Sequence, residues 1–264
     1  MSIPCLMDNI AWCIIEDSEF RKDHVRVLIM EQIPFLIQLD PFNDIRGLYE
    51  RFNSSIAVLD CGRKCAPFNP SGKPFCCDSC HAVPAVYHEE WSYLKNHTDL
   101  WHLWRGDECA ELDESARLQD EVPEGMILLA CKGPSHCQRN FRALSCRQFP
   151  FFPYVSSDYL FMGLAYEWEF EEQCWVISNL HRVAKSYREE FVAVHDALFA
   201  QRQDIFDNYA YHSERMRMRF MGERRRIPLL HRNGKDYLVS PKSERLSRMN
   251  PSQYPQFGPY QVEK

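Results

Sequence analysis

Apolar positions recur at helical spacing between residues 18 and 33, where Phe20, Val25, Leu28, Ile29 and Ile33 share one face behind an N-cap at Ser18. Pro34 ends that helix. A second short helix is expected over Asp44 to Phe52. The run IAVLD at 56–60 and the run MILLA at 126–130 read as short strands, each delivering a cysteine, Cys61 and Cys131. A helix is expected from about Tyr87 to Asn96, and alternating aromatic-rich segments from Tyr154 to Ile177 predict two or three antiparallel strands. The spacing predicts a long helical region over Asn179 to Arg225, broken near Asp207 or Gly222. Asn233-Gly234 between two apolar runs predicts a type I′ hairpin. The tail after Pro241 is expected to be extended.

Two stretches lack periodicity. Residues 107–124 hold eight acids and one arginine and read as a solvated linker or exposed helix. Residues 61–80, CGRKCAPFNPSGKPFCCDSC, are rich in Gly, Pro, Asn and Ser and cannot bury a core alone. The elements together predict an α+β protein. A cysteine-rich metal-binding module with short strands is flanked by N-terminal and C-terminal helices. The expected parts are 1–55, an N-terminal helical segment; 56–153, the cysteine module; 154–226, strands then long helices; and 227–264, a hairpin and tail.

Composition sharpens this picture. Among 264 residues, 45% are hydrophobic, as in a globular protein, and no apolar run reaches the roughly 20 residues of a membrane span. The first residues lack a basic start and carry acids early, so no secretory signal is read there, and a cytoplasmic address is expected. Twelve cysteines in a reducing compartment point to metal ligation or redox chemistry rather than structural disulfides. The net charge of −6 argues against a chain that coats nucleic acid over its whole surface. Nucleic acid and membrane are therefore not expected partners; a protein partner is compatible with the sequence.

Eight cysteines fall into two groups, Cys61-x3-Cys65-x10-Cys76-Cys77-x2-Cys80 and Cys131-x5-Cys137-x8-Cys146. They are the candidate metal ligands. Four thiolates complete a tetrahedral zinc site or a [4Fe–4S] cluster, so eight suffice for more than one centre. Neighbouring side chains tend to diverge, so Cys76 and Cys77 are expected to serve different irons or different centres. Positive charge surrounds both groups: Arg63, Lys64 and Lys73 outweigh Asp78 in the first, and Lys132, Arg139, Arg142 and Arg147 meet no acid in the second. Such neighbours favour thiolate over thiol. Cys5, Cys13, Cys109 and Cys174 stand alone and read as small buried hydrophobes. Replacing Cys109 or Cys174 is not expected to change metal content.

The CC pair with flanking cysteines, followed by a second half ending Cys146-Arg147-x-Phe149-Pro150, resembles the YkgJ-like cysteine-cluster proteins, also described as zinc- or iron-chelating domain proteins. The matching positions are Cys65, Cys76, Cys77 and Cys80, then Cys131, Cys137, Cys146, Arg147, Phe149 and Pro150. The chain departs from the family's compact C-x2-C-x2-C-C block by ten residues between Cys65 and Cys76 and by one cysteine after the pair, and it reads Arg142-Ala143 where Arg-Pro is common. The resemblance covers residues 61–153. It implies a zinc or iron–sulfur centre. A similarity to bacterial flagellin lysine-N-methylases implies an alternative function, an iron–sulfur enzyme modifying a protein or small molecule.

Further features carry weaker expectations. His81, His88, His97 and His102, with Glu89 and Glu90, lie close enough in sequence to complete a centre, although such residues more often cap helices or face solvent. Trp91, Tyr93, Leu94, Trp101 and Trp104 read as a lid or core over the site. Arg147, Phe149 and Pro150 follow the last ligand and are expected to support and shield it. The basic run RMRMRFMGERRR at 215–226 reads as a solvated helix face or as the counterpart of the acidic stretch. No Gly-rich phosphate loop, GxSxG, HExxH or Rossmann fingerprint occurs, nor the C-x3-C-x2-C spacing of radical enzymes. No catalytic residue is therefore nominated.

Overall fold

A computed structural model describes residues 44–106, 122 and 125–260. The expected helix at 18–33, nearly all of the acidic stretch 107–124, and Cys5, Cys13 and Cys109 lie outside them. All described residues belong to one packed unit, Leu39–Lys264.

Helix α1, Ile45–Arg51, begins where Asp44 accepts the Gly47 N–H at 2.8 Å, an N-cap bond that satisfies one of the free amides of the first turn. The short helix α2, Gly62–Cys65, follows Cys61. Strand β1, Ala85–Tyr87, runs into helix α3, His88–His97. Strands β2, Trp101–Leu103, and β3, Met126–Cys131, complete an antiparallel three-stranded sheet in the order β1-β3-β2, with Trp101 opposite Cys131. Helix α4, Leu144–Gln148, carries Cys146.

The second sheet is a five-stranded antiparallel meander of β4 (Phe151–Val155), β5 (Phe161–Tyr166), β6 (Ile227–His231), β7 (Asp236–Val239) and β8 (Leu246–Arg248). Helices α5, Lys185–Phe199, and α6, Gln203–Gly222, pack against β5 and β4 respectively. Their buried side chains, among them Tyr187, Phe191, Met216 and Phe220, meet Phe152, Leu164 and Tyr166 from the sheet in one core. This is an α+β architecture. Among the described residues no helix is long and apolar enough to cross a membrane.

Several expectations are corrected. Residues 56–60 form no strand; Ala57 makes a single antiparallel bridge to Val183, and the Ala184 N–H donates to the Ile56 carbonyl at 2.7 Å. The long helical region is two helices broken at Ala200–Arg202, ahead of Asp207, and residues 177–182 are 3-10 turns. The hairpin forms where expected, but with a different turn. Gly234 takes φ of +81° while Asn233 does not enter the positive region, and the His231 carbonyl accepts the Gly234 N–H at 2.9 Å. That is a type I turn closed by a left-handed glycine, the bulged alternative to type I′. The tail contributes strand β8 because Tyr237, Leu238 and Val239 offer a ladder that its polar composition does not announce.

Candidate metal centre

Apolar burial alone does not hold the first cysteine segment together. Buried Asp78 accepts hydrogen bonds from Ser71 Oγ at 2.6 Å, Asn69 Nδ2 at 3.0 Å and the Cys80 amide at 3.3 Å. Those bonds fold the loop back on itself and hold Asp78 below its ordinary pKa despite its burial. Asp60 accepts the Gly62 N–H at 3.0 Å, which starts the turn that brings Cys61 and Cys65 together.

The second segment is held by Glu90 and Arg147. Glu90 is buried on α3 and accepts the Leu144 amide at 2.6 Å and the Tyr49 hydroxyl at 2.5 Å. It thereby fixes the start of the helix that carries Cys146, and its burial raises its pKa. Arg147 is also buried. It donates to five carbonyls: Arg142 at 2.8 Å, Arg139 at 3.0 Å and Asn140 at 3.2 Å in the loop between Cys137 and Cys146, and Tyr49 at 3.1 Å and Phe52 at 2.6 Å at the end of α1. It supports the loop between Cys137 and Cys146 through backbone carbonyls rather than sulfurs. The cation on a sulfur is Arg142, whose Nε donates to Cys137 Sγ at 3.0 Å. The Gly133 amide donates to Cys131 Sγ at 3.4 Å.

These supports build one cavity of about 520 Å³. Cys61, Cys65, Cys76 and Cys77 line it from the first segment, and Cys131, Cys137 and Cys146 from the second. Phe149 and Pro150, joined by a cis peptide bond, form part of its wall, as does Trp101. Cys80 does not border it and is disulfide-bonded, so its sulfur is not a free donor; the seven lining cysteines are free thiols. An eighth free thiol, Cys174, also lines the cavity. It is set there by the turn after β5, where its amide donates to the Phe170 carbonyl at 2.8 Å. Nothing in its sequence spacing announced it; only the packing of 170–176 against the cysteine loops brings it in.

Among the described residues, no three His, Cys, Asp or Glu side chains converge on a point that could hold a metal ion. The thiols ring the wall instead. The expected divergence of the vicinal pair is not seen: the 3-10 turn Phe75–Cys77 leaves Cys76 Sγ 3.9 Å from Cys77 Sγ. That is close to the sulfur–sulfur spacing of roughly 3.8 Å set by a tetrahedral zinc–thiolate bond of ~2.3 Å.

Electrostatics separate the thiols. The hydrogen bond with Cys76 lowers the Cys77 thiol to about 7, with Arg142 acting in the same direction, and it raises Cys76. Burial and the neighbouring Cys65 push Cys61 up to about 11. Burial also raises Cys65, Cys131, Cys146 and Cys174. Packed this closely, the sulfurs oppose one another's ionisation, and a bound cation would remove that opposition. An all-thiol donor set with an arginine and an amide already aimed at sulfur fits zinc or an iron–sulfur cluster.

The other nominated groups fall elsewhere. None of His81, His88, His97 and His102 borders the cavity; His81 packs edge-on to Phe75, and His97 stacks on Tyr93 with ring centroids 4.2 Å apart. Leu94 and Trp104 are buried without lining it. The basic run is paired within the fold: Arg217 with Glu244 at 3.2 Å, Arg219 with Glu223 at 2.8 Å and Arg225 with Glu171 at 2.5 Å.

No family model, curated protein or solved structure matches the chain.

Proposed function

We propose that this protein binds metal, as zinc or as an iron–sulfur centre, through cysteines drawn from both segments. One observation carries the reading. Seven of the eight nominated cysteines face a single cavity although they are spread over residues 61 to 146. A chain that used them only as small apolar residues would have no reason to gather them around an open space, where burial gains least. The loops that present them are organised by Asp78, Glu90 and Arg147, which leaves the sulfurs available. A bound centre supplies cross-linking of the loops and, if it is an iron–sulfur cluster, electron transfer.

The test is substitution of one cysteine from each segment. Cys77→Ser and Cys146→Ser should each lower the metal content of the purified protein. Each should also increase amide exchange across 61–80 and 131–148 more than across β4–β8. Full metal retention by both variants would refute the reading.

A second reading has one observation in its favour. At about 520 Å³ the cavity is within the range of about 300–1,000 Å³ typical of small-molecule sites, and Phe75, Trp101 and Phe170 give it apolar walls. That is compatible with an iron–sulfur enzyme, including one of lysine-N-methylase type, which modifies a protein or small molecule beside its centre. Saturable binding of a small molecule to the metal-loaded protein, abolished by Trp101→Ala, would favour it.

A further inference from the structure

Adjacent cysteines have Cα atoms about 3.8 Å apart, and nothing in that spacing makes their sulfurs meet. Here the 3-10 turn Phe75–Cys77, in which the Cys77 amide donates to the Pro74 carbonyl at 2.8 Å, brings the two sulfurs to 3.9 Å. Both thiols are free, half-buried and on the cavity wall. We infer that Cys76 and Cys77 form a reversible dithiol–disulfide site, oxidised by exchange with an anionic low-molecular-weight disulfide that enters the cavity.

A disulfide bond of about 2.05 Å asks the sulfurs to approach by roughly 2 Å, with no long-range movement of the chain. The Cα spacing of adjacent residues lies below the roughly 4.4–6.8 Å of ordinary disulfides, so the closed ring is strained and easily reduced. Strained disulfides are the labile ones, suited to reversible use rather than to stapling a fold. Access is provided by the cavity, whose volume of about 520 Å³ admits a small molecule. Charge selects the partner. Asp60 is the one carboxylate among the described lining residues, and it already pairs with Arg63 at 3.5 Å. Lys73 and Arg142 also border the space and form no ion pair among the described residues, which leaves a positive wall for an anion.

The exchange balances without metal. One thiolate of the pair attacks a sulfur of the incoming disulfide; that S–S bond breaks, one small thiol leaves with the electron pair, and a mixed disulfide forms. The neighbouring thiolate attacks the protein-bound sulfur of the mixed disulfide, which closes the Cys76–Cys77 bond and releases the second small thiol. The protein loses two electrons and two protons, and the small disulfide gains them as two thiols. A sulfur held in a metal centre is shielded from this attack, so the oxidised pair and a centre that uses it exclude each other.

The test uses full-length protein after chelation, incubated anaerobically with oxidised glutathione and quenched with iodoacetamide. Peptide mass spectrometry should find Cys76 and Cys77 bonded to each other, with two fewer alkylatable thiols per chain, and reduced glutathione should restore both. Cys76→Ser and Cys77→Ser should instead stop at a mixed disulfide with glutathione on the remaining cysteine. A pair that stays fully alkylated, or that bonds to Cys61 or another cavity thiol in place of its neighbour, overturns the inference; the wild type alone decides this should either variant fail to fold. Cystamine, a cationic disulfide, should close the pair more slowly than oxidised glutathione, and equal or faster closure overturns the assignment of an anionic partner. Protein as purified should resist exchange until it is chelated. Equal closure before and after chelation would count against the metal-binding reading while supporting the dithiol site.

Discussion

The two sheets of this molecule are held by different means. The five-stranded sheet and its helices α5 and α6 bury Phe152, Leu164, Tyr166, Tyr187, Phe191, Phe220 and Leu229 at 1% exposure or less, enough apolar surface to fix the half by packing. The cysteine half has a small sheet of short strands, and its two cysteine segments contribute few buried apolar side chains: Phe75 and Cys65 in one, Ala143 and Leu144 in the other. Buried polar residues do the positioning there, namely Asn69, Asp78, Glu90 and Arg147. Hydrophobic packing tolerates small displacements, whereas a carbonyl cradle around a guanidinium fails once its centre is removed. The difference implies that the cysteine half is more sensitive to the loss of a single buried polar group, and the other half to the loss of apolar volume.

Arg147→Ala should strain this contrast most. It takes the guanidinium from five carbonyls, of which those of Arg139 and Tyr49 keep a backbone N–H, and empties a buried cationic site, at a cost of about 4 kcal/mol by comparison with other broken buried charge contacts. Lysine should not rescue it, because an ammonium cannot reproduce the planar fork. Denaturant midpoints of the two variants check this. A loss below about 1 kcal/mol for alanine would show that the cradle is dispensable.

His195 probes the packed half. It is fully buried on α5, with Nδ1 2.8 Å from the Phe191 carbonyl, and burial lowers its pKa to about 4 from an ordinary value near 6.5. Its neutral form is the folded one. The unfolded chain therefore takes up the proton first, and stability is complete above pH 6.5 and declines as pH falls towards 4. The shift corresponds to about 3 kcal/mol lost over that window. Urea unfolding at pH 7 and pH 4.5 should show the decline in wild type and a smaller one in His195→Gln. Equal declines would assign the acid sensitivity to other groups.

The smallest expected effect is at the hairpin. Gly234 has φ of +81° and open space around its missing Cβ, so Gly234→Ala meets backbone strain without a clash. It should cost about 1 kcal/mol and leave metal content unchanged. A thermal midpoint equal to that of wild type would show that the turn relaxes freely.

The same contrast explains what was legible in the chain. The hairpin around Asn233-Gly234 was readable because its signal is local, an Asn-Gly pair between two apolar runs. The two cysteine groups were readable from spacing. Cys174 was not readable. It stands 28 positions after Cys146 between a glutamine and a tryptophan, and only the turn that follows β5 carries it to the cavity. Strand-like IAVLD failed for the opposite reason: its apolar residues found a bridge to Val183 and no ladder. The histidines of 81–102 were expected more often to face solvent or cap helices than to ligate, and His81 and His97 pack on Phe75 and Tyr93.

The central claim, that the gathered thiols hold metal, is tested most directly by elemental analysis together with an optical spectrum of anaerobically purified protein. The account predicts zinc in a colourless protein, or iron with a broad absorption near roughly 400 nm, in stoichiometric amount. Folded protein that contains neither metal, and whose cavity thiols all react at once with a thiol reagent, would contradict it.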